Sequence, residues 1–257
     1  MLMNNSSVLK VANILSFILT IVVNSLAGST TLIGGKVTAE VSDANFTLIT
    51  PAGYVFSIWG VIYILLGIFV VFQALPSQRG KDFHSKIGWL FVLASIFNIS
   101  WLFLWQFEYL IVSVPVMFML LASLIAIYLR LDIGKLKVEL VEKIAVHLPF
   151  STYFGWITIA SIANVAATLV SINWDGLGIN PETWATLIII IALLISLIVV
   201  VTRTDVAYGL VIVWAFVGIS EGQKAYPNIV TLTQISAVIV FAALIATIAI
   251  DKLRQKR

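Results

Sequence analysis

The stretch TPAGYVFSIWGVIYILLGIFVVFQ, residues 50–73, decides what kind of protein this is. It carries no charged residue and is long enough to cross a bilayer, which takes about 20 mostly apolar residues. Phe56, Trp59, Tyr63 and Gly67 follow one another at helical steps of three and four, so they share one face. Gly53, Gly60 and Gly67 recur every seven residues, a seam of small side chains against which another helix packs closely. Pro51 opens the segment, where a missing N–H does least harm. An ordinary membrane helix with aromatic packing already accounts for this much.

Working outward, the chain has 257 residues, of which 61% are hydrophobic and 11% charged, with a mean hydropathy of +1.08. That leaves too little charged surface for a soluble domain of this size. The reading is a polytopic membrane protein. The absence of cysteine excludes disulfides, thiolate catalysis and Cys-ligated metal. Its basic residues sit in short connections between apolar runs, so nucleic acid is not an expected partner; the lipid bilayer is.

Eight candidate spans are predicted, at roughly 9–28, 52–75, 87–106, 109–129, 144–171, 184–201, 206–222 and 229–250. With a cytoplasmic N-terminus, thirteen of the fifteen basic residues fall on one side, and only Lys36 and Lys224 on the other. The positive-inside rule predicts such one-sidedness. The expectation is a multi-pass protein of the cell membrane with both termini cytoplasmic. A competing reading takes the first span as a secretory signal cleaved near Ser25-Leu26-Ala27, but its flank has a single positive charge and its apolar run is long.

The longest outside segment, residues 29–50, is rich in Gly, Thr and Ser and contains the sequon Asn45-Phe46-Thr47. It suits a cap over a pocket or plain slack. In the third span Asn98, Trp101 and Trp105 share a face, and in the fifth Tyr153, Trp156, Ala160, Asn164 and Ala167 do the same. An amide in hydrocarbon must face protein or a polar ligand group, and bonding to a neighbouring helix is the commoner use. The small residues Ala160, Ala163 and Ala167 suit close packing, within the chain or in a homodimer.

These residues are similar to those of a known family. Pro51 to Phe56, then Trp59, Tyr63 and Gly67, resemble the helix-two signature of the TspO/MBR family, the tryptophan-rich sensory proteins and mitochondrial translocator proteins. Asn98 with Trp101 resembles that family's Asn-x-x-Trp, and Pro149, Trp156, Ala160 and Asn164 resemble its last-helix pattern. The resemblance covers about residues 9–172 and implies the family's five-helix fold. The fold class is thus an all-α integral membrane protein. A TspO-like bundle (1–172) is followed by three additional C-terminal transmembrane helices (173–257). Departures are Ala52, where the family usually has a second proline, a first loop without tryptophan, and Pro149 placed seven residues before Trp156.

What the resemblance implies is binding of a hydrophobic small molecule, a porphyrin or a sterol. The ligand-binding residues would be Trp59, Tyr63, Asn98, Trp101, Trp156 and Ala160. The residues themselves agree with a flat aromatic ligand, since indole and phenol faces stack on planar rings and amides orient a polar edge. No cofactor is required, a porphyrin being a ligand. His84 lies in a basic loop and His147 at the interfacial start of span five, so neither is placed for axial ligation of its metal from mid-membrane. There is no nucleophile–base pair, metal-ligand cluster or phosphate loop, and an enzyme is not expected. Residues 124–130, centred on Tyr128, fit a proposed cholesterol pattern that matches often by chance. The alternative function is a transporter or permease for a small hydrophobic solute. Its ion-coupled form is disfavoured, because no span centre carries a charge and the halves show no repeat. A third reading makes spans six to eight an assembly surface.

Overall fold

A computed structural model describes residues 5–255, and among these there is helix but no strand. In chain order the helices are α1 (Asn5–Ser29), α2 (Thr38–Ala44), α3 (Ile58–Ala74), α4 (Phe83–Ile87), α5 (Leu90–Gln106), α6 (Leu110–Arg130), α7 (Leu140–Glu142), α8 (Leu148–Ser171), α9 (Pro181–Arg203), α10 (Val206–Gly222) and α11 (Pro227–Gln255). A 3₁₀ turn, Gly53–Ser57, leads into α3, and a π-turn, Lys143–His147, joins α7 to α8. Six of the described helical segments are long and apolar enough to cross a membrane, while α5 and α10 are apolar but have only 17 residues each. Lys256 and Arg257 of the basic count lie outside the described residues.

The breaks between helices have local causes. Glu108 adopts φ 58° in the short turn between α5 and α6, and Thr204 adopts φ 51° between α9 and α10. Asn180 caps α9 through Glu182 N, Asp205 caps α10 through Tyr208 N at 3.2 Å, and prolines begin α9 and α11. Outward-facing residues such as Ile64, Val71, Ile111, Ile198 and Val238 are exposed. For helices whose solvent is lipid, that is the expected pattern.

Helix α8 runs through the middle, buried from Pro149 to Ile159, with α3, α6 and α10 packed against it. The α8–α10 contact is close: a Cβ on Gly155 would lie 3.2 Å from Tyr208 O. At the far end of α10 the helix meets the segment before α3. Ala52 N donates to Gly218 O at 2.9 Å, and Trp214 Nε1 donates to Val55 O at 3.2 Å. A Cβ on Gly222 would come within 2.8 Å of Ala52 N and Thr50 O.

Several sequence expectations take a different form here. Among the described residues, the glycine seam leading into α3 makes a close approach at Gly67, against the Phe17 ring, and none at Gly53 or Gly60. Asn45 is buried with its amide donating to Val41 O, so the sequon is not an exposed acceptor. Tyr128 is buried, its ring against Phe154 and beneath the Arg203 guanidinium, which removes the phenol from any lipid-facing sterol motif. His147, at the start of span five, has its side chain buried in the π-turn.

The glycine contacts predict an asymmetric response. Gly222→Val forces a branched side chain into backbone that has no room to yield, an overpacking cost of about 1–3 kcal/mol. It should lower the thermal midpoint of the purified protein clearly, whereas Gly60→Val should leave it nearly unchanged. Equal midpoints for the two variants would contradict this packing.

Candidate ligand-binding site

Trp59 is the meeting point of three helices. It stacks on Tyr63 of its own helix at 5.6 Å between centroids and on Trp101 of α5 at 6.4 Å, and it meets Tyr153 and Trp156 of α8 edge-on at 6.0 and 6.1 Å. Trp101 continues the stack to Trp105 at 5.6 Å, and Phe56 meets Trp156 edge-on. The helical steps that put each set on one face of its own helix thus bring all of them to one place. Each ring pair contributes about 0.5–1.5 kcal/mol beyond its burial.

Above these rings lies a cavity of about 60 Å³ between α3, α5 and α8. Trp59, Trp101, Trp156 and Ala160 line it, as expected. Tyr63 and Asn98 do not reach it. Tyr63 lies behind Trp59, and Asn98 is wholly buried, its Nδ2 donating to Tyr153 OH at 2.9 Å and its Oδ1 accepting from Asn24 Nδ2 at 2.7 Å. Buried away from the cavity, that amide serves to tie α1, α5 and α8 together.

Phe56, Trp105, Ala163, Asn164 and Ala167 also line the cavity. Their stripe spacing was visible in the sequence, but their use was not. Asn164 Oδ1 accepts from Trp101 Nε1 at 2.6 Å, while its Nδ2 donates to Ser113 Oγ of α6 at 2.9 Å. Trp105 Nε1 donates to Thr38 O at 3.2 Å. Two indoles are therefore tied. Trp156 is different: its Nε1 is buried without a hydrogen-bond partner, which costs about 1–3 kcal/mol. The alanine row supplies space beside these rings, so on this face of α8 it frames a cavity.

Residues 30–52 form the roof, with Thr38, Ser42, Ile49, Thr50 and Pro51 facing the cavity. The roof is pinned at both ends by a buried glutamine. Gln106 Nε2, from the last turn of α5, donates to Lys36 O at 2.8 Å and Ala27 O at 3.1 Å. Gln223 Nε2, from the end of α10, donates to Thr50 O at 2.8 Å and Thr47 O at 3.1 Å. Lys36 and Glu108 add an ion pair at 2.5 Å. Neither glutamine was singled out in the sequence, where an uncharged amide near a helix end is unremarkable.

The two histidines lie away from the cavity, His84 on α4 and His147 in the π-turn before α8. Trp184 is also elsewhere, tilted against Trp174 and donating to Gly176 O at 2.8 Å.

A family model described as TSPO-like protein matches residues 10–249, so the match runs through the C-terminal helices as well as the first five spans. No curated protein and no solved structure matches the chain.

Two pins at the two ends of one roof should act separately. Gln223→Ala removes the side-chain donor from Thr50 O and from Thr47 O, which keeps only Thr50 N, so amide hydrogen exchange should accelerate over residues 45–52. Gln106→Ala should instead accelerate exchange over residues 28–38. At about 1 kcal/mol per lost bond the local change is roughly fivefold or more. Uniform acceleration over the whole roof in both variants would contradict independent pinning.

Proposed function

The chain belongs to the TSPO-like family, and on that basis we propose that it is a membrane-embedded binding or sensing protein for a planar hydrophobic ligand, a tetrapyrrole in first place and a sterol-like molecule in second. The carrying observation is the set of four indoles around one roofed cavity, of which Trp156 has a buried, unpartnered N–H. Trp59, Trp101 and Trp156 supply faces for stacking, Ala160 supplies space, and the free indole N–H supplies a donor for one polar edge of the ligand. Tyr63 and Asn98 act from behind, holding Trp59 and Tyr153 in place. A porphyrin bound here is held by stacking, without an axial protein ligand.

A cavity of about 60 Å³ is far smaller than the roughly 300–1,000 Å³ of ordinary ligand pockets. Binding therefore requires the roof or the untied rings, Trp59 and Trp156, to move. The tied rings, Trp101 and Trp105, form the fixed wall. Behind the rings Asn24, Asn98 and Tyr153 are bonded to one another, which favours holding a ligand over passing it through as a permease would. Residues 1–172 then furnish the stacking surface, and residues 173–257 hold the roof through α10.

The orientation belongs to the same reading: the roof faces outward and both termini are cytoplasmic. The chain has no cysteine, so single cysteines report without background. Thr31→Cys should react with an impermeant maleimide from outside, and Ser77→Cys only after the membrane is opened. The reverse pattern would invert the protein.

The binding test is quenching of tryptophan fluorescence by protoporphyrin in purified protein. Stacking is worth roughly 1–3 kcal/mol per ring, so losing two rings should weaken binding about 30-fold or more. Saturable quenching in the wild type and in Trp184→Leu, lost in Trp59→Leu/Trp156→Leu, is the expected result. Equal, unsaturable quenching in all three would sink the proposal. Gln223→Ala should speed association by loosening the roof, with the plateau unchanged.

A further inference from the structure

At the end of the bundle away from the roof, the first turns of α1 and the connection from α3 to α5 enclose a wide recess of about 1070 Å³. Lys10, Arg79 and Lys81 line it, and Asp82 is the one acid among its described lining residues. Among the described ion pairs, Lys81 only reaches Glu139 at 4.0 Å, and none involves Lys10 or Arg79. His84 faces the same recess, its ring Nε2 bonded to Gln78 O at 2.9 Å. Burial, joined by the positive charge of Lys10, holds the imidazole below its ordinary pKa against the opposing effect of the Gln78 bond. The recess is thus a place of gathered, mutually repelling positive charge.

Ser7 and Ser85 apart, its remaining side chains are apolar. Val8 and Val11 of α1 and Trp89 before α5 line the recess and are exposed, and tryptophan at a bundle end sits at the depth of lipid headgroups. Topology asks for basic residues on one side of a membrane protein, but not for their convergence on one hollow with an apolar wall. A free anion would use the cations and leave Val8, Val11 and Trp89 without a role. An amphiphile uses both. Guanidinium and ammonium groups hold phosphate oxygens, while acyl chains lie along α1. We propose that this recess binds the phosphate headgroup of an anionic phospholipid from the surrounding leaflet.

The test is native mass spectrometry of the full chain in detergent, titrated with dioleoylphosphatidylglycerol or dioleoylphosphatidylcholine. The wild type should retain phosphatidylglycerol selectively. Lys10→Gln/Arg79→Gln should bind it about thirtyfold more weakly, from the usual contribution of each basic residue near a membrane surface. Lys135→Gln/Lys137→Gln, which removes two cations outside the recess, should retain it like the wild type. An unchanged thermal midpoint in phosphatidylcholine shows that the recess variant is folded. Equal retention of both lipids, or equal loss in both variants, would overturn the proposal. Displacement of the lipid by millimolar inorganic phosphate would also overturn it, in favour of a free-phosphate site.

Discussion

Asn98 gives its amide entirely to the interior, donating to Tyr153 and accepting from Asn24. A bundle surrounded by hydrocarbon has no water to satisfy such groups, so a polar side chain inside it is satisfied only by protein, on its own helix or on another. That obligation recurs through the molecule. Asn13 of α1 donates to Gln73 of α3 at 2.8 Å, Trp101 to Asn164, Asn164 to Ser113, and Ser151 of α8 to the Asp205 carboxylate at the start of α10. Apolar packing alone would leave the helices free to slide and rotate against one another. These bonds select one register, and the position of every ring in the cavity follows from it.

The aromatic site divides into a fixed and a movable half by the same rule. Trp101 and Trp105 each give their N–H to the protein, whereas Trp156 keeps an unpartnered one. The small cavity is therefore less a finished pocket than a set of rings packed on one another with one donor unspent. A planar ligand would exchange ring–ring stacking for ring–ligand stacking, so much of the contact energy would be conserved and the N–H would gain an acceptor.

The roof couples the two parts of the chain. Gln106 belongs to the first five spans and Gln223 to the last three, and both hold the backbone of residues 27–50. Glycines at 218 and 222 let α10 come close enough for the second pin. A family match that continues to residue 249 agrees with this shared construction. At the other end the bundle is open and basic, so its two faces offer different chemistry: rings under a lid at one, cations beside an apolar wall at the other.

Membrane class, approximate helix positions and the three aromatic stripes were legible in the sequence, because hydrophobic length and helical periodicity are properties of a single segment. Of the six residues named from the family resemblance, Trp59, Trp101, Trp156 and Ala160 line one cavity. Partner choice was not legible. Whether Asn98 meets a ligand or Tyr153, whether Ala163 frames a cavity or a second copy, and what Gln106 and Gln223 hold depend on residues 50 to 180 positions away along the chain. The length of α5 and α10, at 17 residues each, likewise leaves span number open to a criterion based on length. Local sequence dictates which face of a helix is aromatic or polar. Only the tertiary register, set by the sum of many interhelical bonds and contacts, decides what that face meets.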